Sequence, residues 1–155
     1  MDHRNHGQHI QQLIGDHLLD LLPRQNYEIA LDLGCGTGFF LEKLQTLSHQ
    51  LVGLDLSPGM LAAAAAKGGS AHLVGGDAEQ LPLLSASCDL CFSTLALQWC
   101  ASLPQALAEI WRVVRPGGHL ALATLSDGSL MELRQAWRQV DALDHVNPFI
   151  PEQTL

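Results

Sequence analysis

Between Tyr27 and Leu125, short apolar runs alternate with segments of helical spacing. The runs are YEIALDL (27–33), QLVGLDL (50–56), AHLVGGD (71–77), CDLCFSTLAL (88–97) and HLALATL (119–125). Strands that alternate with helices cannot pair as hairpins. They line up in parallel, joined by right-handed crossovers, and the helices cover both faces. The expected fold is α/β: a Rossmann-like, doubly wound sheet of about five parallel strands. Such sheets bind ligands beyond the carboxyl ends of their strands, beside a topological switch point.

The intervening segments read as helices. Ile10, Leu13, Ile14, Leu18, Leu21 and Leu22 recur at helical spacing, which predicts an amphipathic helix over 8–22, stopped by Pro23. A helix is expected from Phe39 to Leu47 with Thr37 as its cap. Another is capped by Ser57, has Pro58 at its first position and LAAAAAK as its body. Pro104 to Val114 is expected to turn Leu107, Ile110, Trp111 and Val114 inward, and Pro116-Gly117-Gly118 reads as a turn. Leu130, Leu133, Trp137 and Val140 mark a last helix over 129–143, followed by an irregular tail over 144–155. The 155 residues make one domain, with a ligand-binding core over 29–124.

Charge narrows the partners. The net charge of −8 argues against nucleic acid, whose phosphates demand Lys and Arg. No apolar run approaches the roughly 20 residues that span a bilayer. The N-terminus is broken by Asp16 and Asp20 and lacks a cleavage site, so the expected compartment is the cytoplasm, with Cys35, Cys88, Cys91 and Cys100 as thiols.

The chemistry concentrates in Asp32-Leu33-Gly34-Cys35-Gly36-Thr37-Gly38. Dinucleotide folds use G-x-G-x-x-G to bring backbone N–H groups against a pyrophosphate. Here the spacing is G-x-G-x-G, and a carboxylate stands two residues before the first glycine. That carboxylate would repel a pyrophosphate and favour a cation. The phosphate-loop Gly-Lys-Ser/Thr signature is missing as well. S-adenosylmethionine meets these demands, with a sulfonium, an α-ammonium, an adenosine and no phosphate. Asp32 would hold the ammonium, directly or through water. Asp55 is expected to end the second strand and can accept both ribose hydroxyls. Asp77 ends the third and can accept from the adenine amino group. Ala78 offers a backbone N–H to the ring, and Leu56 and Met60 offer apolar contact.

Beyond the loop, LDLGCGTG, LVGLDLSPGML, GDAEQLPL and RVVRPGGHLAL resemble the class I S-adenosylmethionine-dependent methyltransferases, over about Leu31 to Thr124. LALQWC, LAEIWRVVRPGG, TLSDGSLMELRQAW and HVNPFIP resemble the BioC family, the malonyl-acyl-carrier-protein O-methyltransferases of biotin synthesis. The resemblance implies methyl transfer from S-adenosylmethionine to the free carboxylate of a malonyl thioester on acyl carrier protein, in the branch that leads to pimelate. It implies no metal. A carboxylate is already the nucleophile at neutral pH, so no catalytic base is expected, and proximity and orientation carry the reaction. Ser93, Thr94 and Leu95, at the end of the fourth run, are expected beside the methyl group. Gln98 and Trp99 are candidates for the acceptor cavity.

The class I strand order is 3-2-1-4-5-7-6. Against that pattern the chain is expected to be truncated at both ends and to lack the last two strands. HLALATL would then stand at a sheet edge and is expected to favour self-association. The alternatives are a methyltransferase for another small acid, of the trans-aconitate kind, or a non-catalytic fragment that binds the cofactor. An NAD-type oxidoreductase is disfavoured by Asp32 and the loop spacing. Cys88-x-x-Cys91 reads as core packing, and His3, His6 and His9 as a solvated terminus. Arg112, Arg115, Arg134 and Arg138 are expected either to meet an acidic carrier or to lie on a solvated helix face.

Overall fold

The structure is a computed structural model that describes residues 4–126 together with Gly128, Ser129, Met131, Gln135 and Phe149. The last helix expected over 129–143 and the tail over 144–155 fall almost wholly outside the described residues. So do Arg134 and Arg138, and the side chains of His3 and His6. The chain divides into two compact units, Met1–Ala123 and Thr124–Leu155. In the second, among the described residues, Ser129 N donates to Ser126 O at 3.0 Å, which closes a turn.

The first unit runs α1 (Arg4–Asp20), β1 (Tyr27–Leu33), α2 (Leu41–Gln45), β2 (Ser48–Asp55), α3 (Pro58–Ala66), β3 (His72–Gly75), β4 (Cys88–Thr94), α4 (Leu103–Val113) and β5 (Val114–Ala123). A short 3-10 turn, Leu97–Trp99, precedes α4. All pairings are parallel, and the order is β3-β2-β1-β4-β5. The chain therefore winds outward from β1 in both directions, and the switch point lies between β1 and β4. Among the described residues β5 stands at one edge.

The core forms because β1 and β4 are buried on both sides, as parallel strands under helices must be. Tyr27, Ala30, Leu51, Leu90, Phe92 and Ala121 of the sheet meet Phe40 and Leu44, and Leu18, Leu19 and Leu22 pack against them. Cys88 and Cys91 are buried, as core packing requires. Burial raises the Cys88 thiol to about 11 and pushes the Cys91 thiol up as well, so both stay neutral. Among the described residues no group of side chains is set to hold a metal ion, and no helix is long and apolar enough to cross a membrane.

Four expectations are corrected. In α1, Ile10 and Leu13 are exposed, as is Leu21 just beyond the helix. The helix buries Gly15 against Phe40, the residue before α2, instead. A Cβ there would lie 2.0 Å from the Phe40 ring, and this close approach fixes which stripe faces inward. In α4 the inward stripe is Leu103, Ala106, Ile110 and Val113, and Trp111 is 87% exposed. The helix starts at Leu103, one residue before the expected Pro104, and Ser102 caps it by accepting from Gln105 N.

The glycine loop continues further than expected, so α2 begins at Leu41 after an uncapped Phe40, and Thr37 is no cap. Finally, Pro116-Gly117-Gly118 does not separate a helix from a strand. It lies within β5 as a bulge, between the pairs Cys88↔Val114 and Leu90↔His119. Ser57 does cap α3, accepting from Met60 N at 3.4 Å, with Pro58 at the first turn.

Candidate functional site

At the carboxyl ends of the strands a cavity of about 810 Å³ opens over the glycine loop. Its walls come from the segments after β1, β2, β3 and β4, with α1 closing one side. Of the residues expected from the sequence, Gly34, Cys35, Gly36, Asp55, Leu56, Met60, Asp77, Ala78, Thr94, Leu95 and Trp99 line it.

The loop is built by hydrogen bonds that prolong the sheet and then turn away from it. Gly34 N and Cys35 N both donate to Leu54 O, at 2.8 and 3.0 Å, and Gly38 N donates back to Cys35 O at 2.8 Å. Each glycine answers a different demand. A Cβ on Gly34 (φ +78°) would lie 2.3 Å from the Cβ of Ala96, so only bare backbone lets the β1 and β4 loops touch. A Cβ on Gly38 would meet Leu41 at 2.9 Å and Ala64 of α3 at 3.1 Å. A Cβ on Gly36 would meet nothing within 4 Å, so the backbone there faces open space in the cavity.

Asp55 is the keystone of this wall. Its Oδ2 accepts from Gly36 N and its Oδ1 from Ser57 N, each at 2.8 Å. An ionised carboxylate has about four lone-pair sites, so each oxygen can accept once more. Asp77 lies two residues past the end of β3, further out than expected. Its Oδ1 accepts from Glu79 N at 2.9 Å. Glu79 in turn accepts from Ala101 N and Ser102 N, and Gln105 Nε2 donates to its carbonyl at 3.3 Å. The adenine-side loop is thereby fastened to the segment that precedes α4.

Four expected residues do not line the cavity. Asp32 is only 2% exposed and lies beneath the loop on the central strand, between Gly53 and Phe92 in register. Its Oδ2 has no hydrogen-bond partner among the described residues. Burial first, and the neighbouring Asp55 charge second, raise its carboxyl to about 7. Ser93 is fully buried and donates from Oγ to Leu33 O at 2.8 Å, which ties β4 to β1 and leaves no hydroxyl proton for a ligand. Gly38 meets Leu41 and α3. Gln98 donates from Nε2 to Leu95 O at 2.7 Å, holding the turn after β4.

That turn is strained. Leu95 has φ +51°, where a side chain costs roughly 1–2 kcal/mol, and its N–H donates to Ala123 O at 2.7 Å. Positive φ in a non-glycine residue lining a cavity is the kind of strain that collects at functional sites. Thr94, Leu95 and Ala96 present the end of β4 to the cavity.

Sequence reasoning missed Gln11, Gln12, Thr37, Phe39 and Lys67, which also line the cavity. Phe39, directly after the last glycine, was open to recognition. The two glutamines carried no signal, because nothing in the helical pattern of α1 says which polar residues overhang a neighbouring loop.

Cys35 and Cys100 line the cavity too. Burial, then Asp32 and Asp55, push the Cys35 thiol up to about 12. Burial, then Glu79 and Asp77, raise Cys100. Neither is a thiolate near neutral pH, so the site offers no cysteine nucleophile.

The two described arginines of the expected patch are occupied elsewhere. Arg112 forms a two-pronged pair with Glu109 at 2.7 Å and donates to Leu81 O and Leu83 O. Arg115 pairs with Asp89 at 2.9 Å. Both pin the segment between β3 and β4 to α4 and β5 and form no free basic patch.

Comparison with known proteins gives a consistent result. The family described as Methyltransferase domain matches residues 31–122. A malonyl-[acyl-carrier protein] O-methyltransferase of Serratia marcescens is 46% identical over 142 residues, 92% of this chain and 56% of that protein. One from Pectobacterium atrosepticum is 44% identical, over 94% and 58%. The chain thus spans a little over half the length of these curated relatives. Among solved structures, an S-adenosylmethionine-dependent methyltransferase from Mesorhizobium loti is 33% identical with a TM-score of 0.62, over 68% of this chain and 50% of that one. A putative methyltransferase from Haloferax volcanii, solved with its Trm112 activator, is 24% identical with a TM-score of 0.74, over 95% and 66%. At that identity it speaks for the fold alone.

Proposed function

The chain belongs to the methyltransferase domain family, and on that premise we propose that its cavity binds S-adenosylmethionine and presents the methyl group to a carboxylate, that of a malonyl group on acyl carrier protein. The observation that carries the reading is the Gly36–Asp55 wall. Bare backbone faces open space, and the carboxylate that holds it keeps lone pairs for hydroxyls. The fit is supported from below by Asp32, whose buried Oδ2 lacks a partner and favours positive charge above the loop. A nicotinamide dinucleotide would place its pyrophosphate over that same carboxylate.

When bound, S-adenosylmethionine supplies an electrophilic methyl group on sulfur. The residues of this chain then have distinct tasks. Asp55 accepts from the ribose hydroxyls. Asp77 and the backbone of Ala78 meet the adenine edge, and Leu56 and Met60 lie along its faces. Glu79 holds that loop rigid through Ala101 and Ser102. Thr94, Leu95 and Ala96 form the floor under the reacting centre. The acceptor carboxylate needs no proton removed, so the site is built to position two reactants and exclude water. Trp99, 74% exposed at the rim, offers an apolar surface to the acceptor arm.

The malonyl-carrier acceptor is supported by the printed names of the relatives. The test is direct. The chain is incubated with radiolabelled S-adenosylmethionine and either malonyl-acyl carrier protein or free trans-aconitate, and base-labile methyl ester is counted. Ester on the carrier protein alone supports this acceptor. Ester on aconitate alone assigns the site to small free acids. Binding without ester on either would make the chain a cofactor-binding fragment.

A further inference from the structure

The connection from β3 to β4, over 76–87, contains no helix. Side chains of α4 hold it in place instead. Gln105, Glu109 and Arg112 recur at helical spacing and share one face of that helix. Each takes hold of the connection at a point further along. Gln105 Nε2 donates to Glu79 O at 3.3 Å, Glu109 Oε2 accepts from Leu81 N at 2.7 Å, and Arg112 donates to Leu83 O at 2.8 Å.

Glu79 closes this row at the cavity end. Its Oε1 accepts from Ala101 N and, at 3.1 Å, from Ser102 N, while its own N–H donates to Asp77 Oδ1 at 2.9 Å. Glu79 thereby joins two walls of the cavity that are distant in sequence. One is Asp77 and Ala78. The other is the segment from Leu97 to Ala101, which carries Trp99. In that second wall Trp99 N donates to Ala96 O and Cys100 N to Leu97 O, within one turn, and the Trp99 ring is exposed.

We infer that Glu79 is a positioning residue, through which a methyl donor seated on Asp77 and Ala78 fixes the acceptor wall at Trp99. This rests on the S-adenosylmethionine reading and adds an order to it. A ligand that immobilises Asp77 and Ala78 immobilises, through Glu79, the segment that carries Trp99. The acceptor then meets a wall that is already ordered and loses less conformational freedom on binding. The methyl donor binds first and the acceptor second. Glu79 acts through Ala101 and Ser102 and takes no part in the chemistry.

Trp99 reports on its own wall once the other two tryptophans, Trp111 and Trp137, are replaced by phenylalanine. Acrylamide quenching of Trp99 is measured in that parent chain, in Glu79→Gln and in Glu79→Ala, without ligand and with S-adenosylhomocysteine. Calorimetric titration of each variant sets the ligand to the same saturation. The ligand is expected to shield Trp99 in the parent chain and in Glu79→Gln, whose amide oxygen still accepts from both N–H groups. In Glu79→Ala the shielding should be lost. Shielding by direct contact with the ligand would survive in Glu79→Ala, so full shielding there overturns the inference, as does its loss in Glu79→Gln. If Glu79→Ala does not fold, Glu79→Asp carries the same expectation, because its carboxylate falls one methylene short of Ala101 N. Binding without shielding in the parent chain overturns this inference and leaves the methyl-donor reading intact. If the parent chain binds no S-adenosylhomocysteine, the methyl-donor reading falls, and this inference falls with it.

Discussion

Gly36 N donates to Asp55 Oδ2 at 2.8 Å, a bond between the loop after β1 and the last residue of β2. It joins the one glycine of the loop whose missing side chain opens onto empty space to a carboxylate that holds both its own loop and its neighbour's. The bond makes the position of the glycine loop depend on an acidic side chain that also lines the cavity.

Asp55→Ala removes both anchors and the hydroxyl acceptors together. Losing a charged hydrogen-bonding partner is worth about 1.5–3 kcal/mol, so the dissociation constant for S-adenosylhomocysteine should rise by roughly 10- to 100-fold. Calorimetric titration measures it. An unchanged constant would mean that Asp55 does not face the ligand.

Alanine at two neighbouring glycines should fail in different ways. Gly34→Ala forces a Cβ against Ala96 at positive φ, so the fold should lose about 2–4 kcal/mol. Gly36→Ala meets no protein atom and should cost only about 1–2 kcal/mol of backbone strain, yet its methyl enters the space reserved for the ligand. Urea unfolding and ligand titration on both variants separate the effects. Equal stability loss in the two would contradict this division of labour.

Asp32 makes a prediction about pH. Its carboxyl is raised from 3.8 to about 7. From about pH 4 to about pH 7 the folded chain holds a proton there that the unfolded chain has released. The stability tied to this group is therefore fully present below about pH 4 and is lost as pH rises through about 7, by on the order of 4 kcal/mol. Asp32→Asn should remove that slope and melt higher than the wild type at pH 8, while binding the cationic methyl donor more weakly. Melting curves at pH 5 and pH 8 read the first effect and titration reads the second. An unaltered pH dependence in Asp32→Asn would place the titrating group elsewhere.

The legible part of this structure is its local chemistry. The parallel order could be read because helices follow the first, second and fourth runs, although the connection from β3 to β4 carries none, and Ser57-Pro58 marks a helix start by a mechanism that acts within three residues. Asp55 and the glycines could be read because a strand end, a bare loop and an acid have meaning only together. Phase and depth were not legible. Trp111 looks inward by size, but the Ser102 cap rotates α4 so that Val113 takes that place. Asp32 and Ser93 stand at strand ends as ligand residues do. Whether a side chain reaches the cavity or the layer beneath depends on sheet twist and on where the loop turns, which no spacing records. Lys67 escaped for a related reason, since its place over Thr37 follows from the fit of Ala64 on Gly38, a contact between distant segments.

The central claim is that the loop and its acids form a site for S-adenosylmethionine and not for a dinucleotide. Calorimetric titration of the chain with S-adenosylhomocysteine and, separately, with NAD tests it most directly. The account predicts saturable one-to-one binding of S-adenosylhomocysteine and no heat beyond dilution with NAD. Saturable binding of NAD with none of S-adenosylhomocysteine would contradict it.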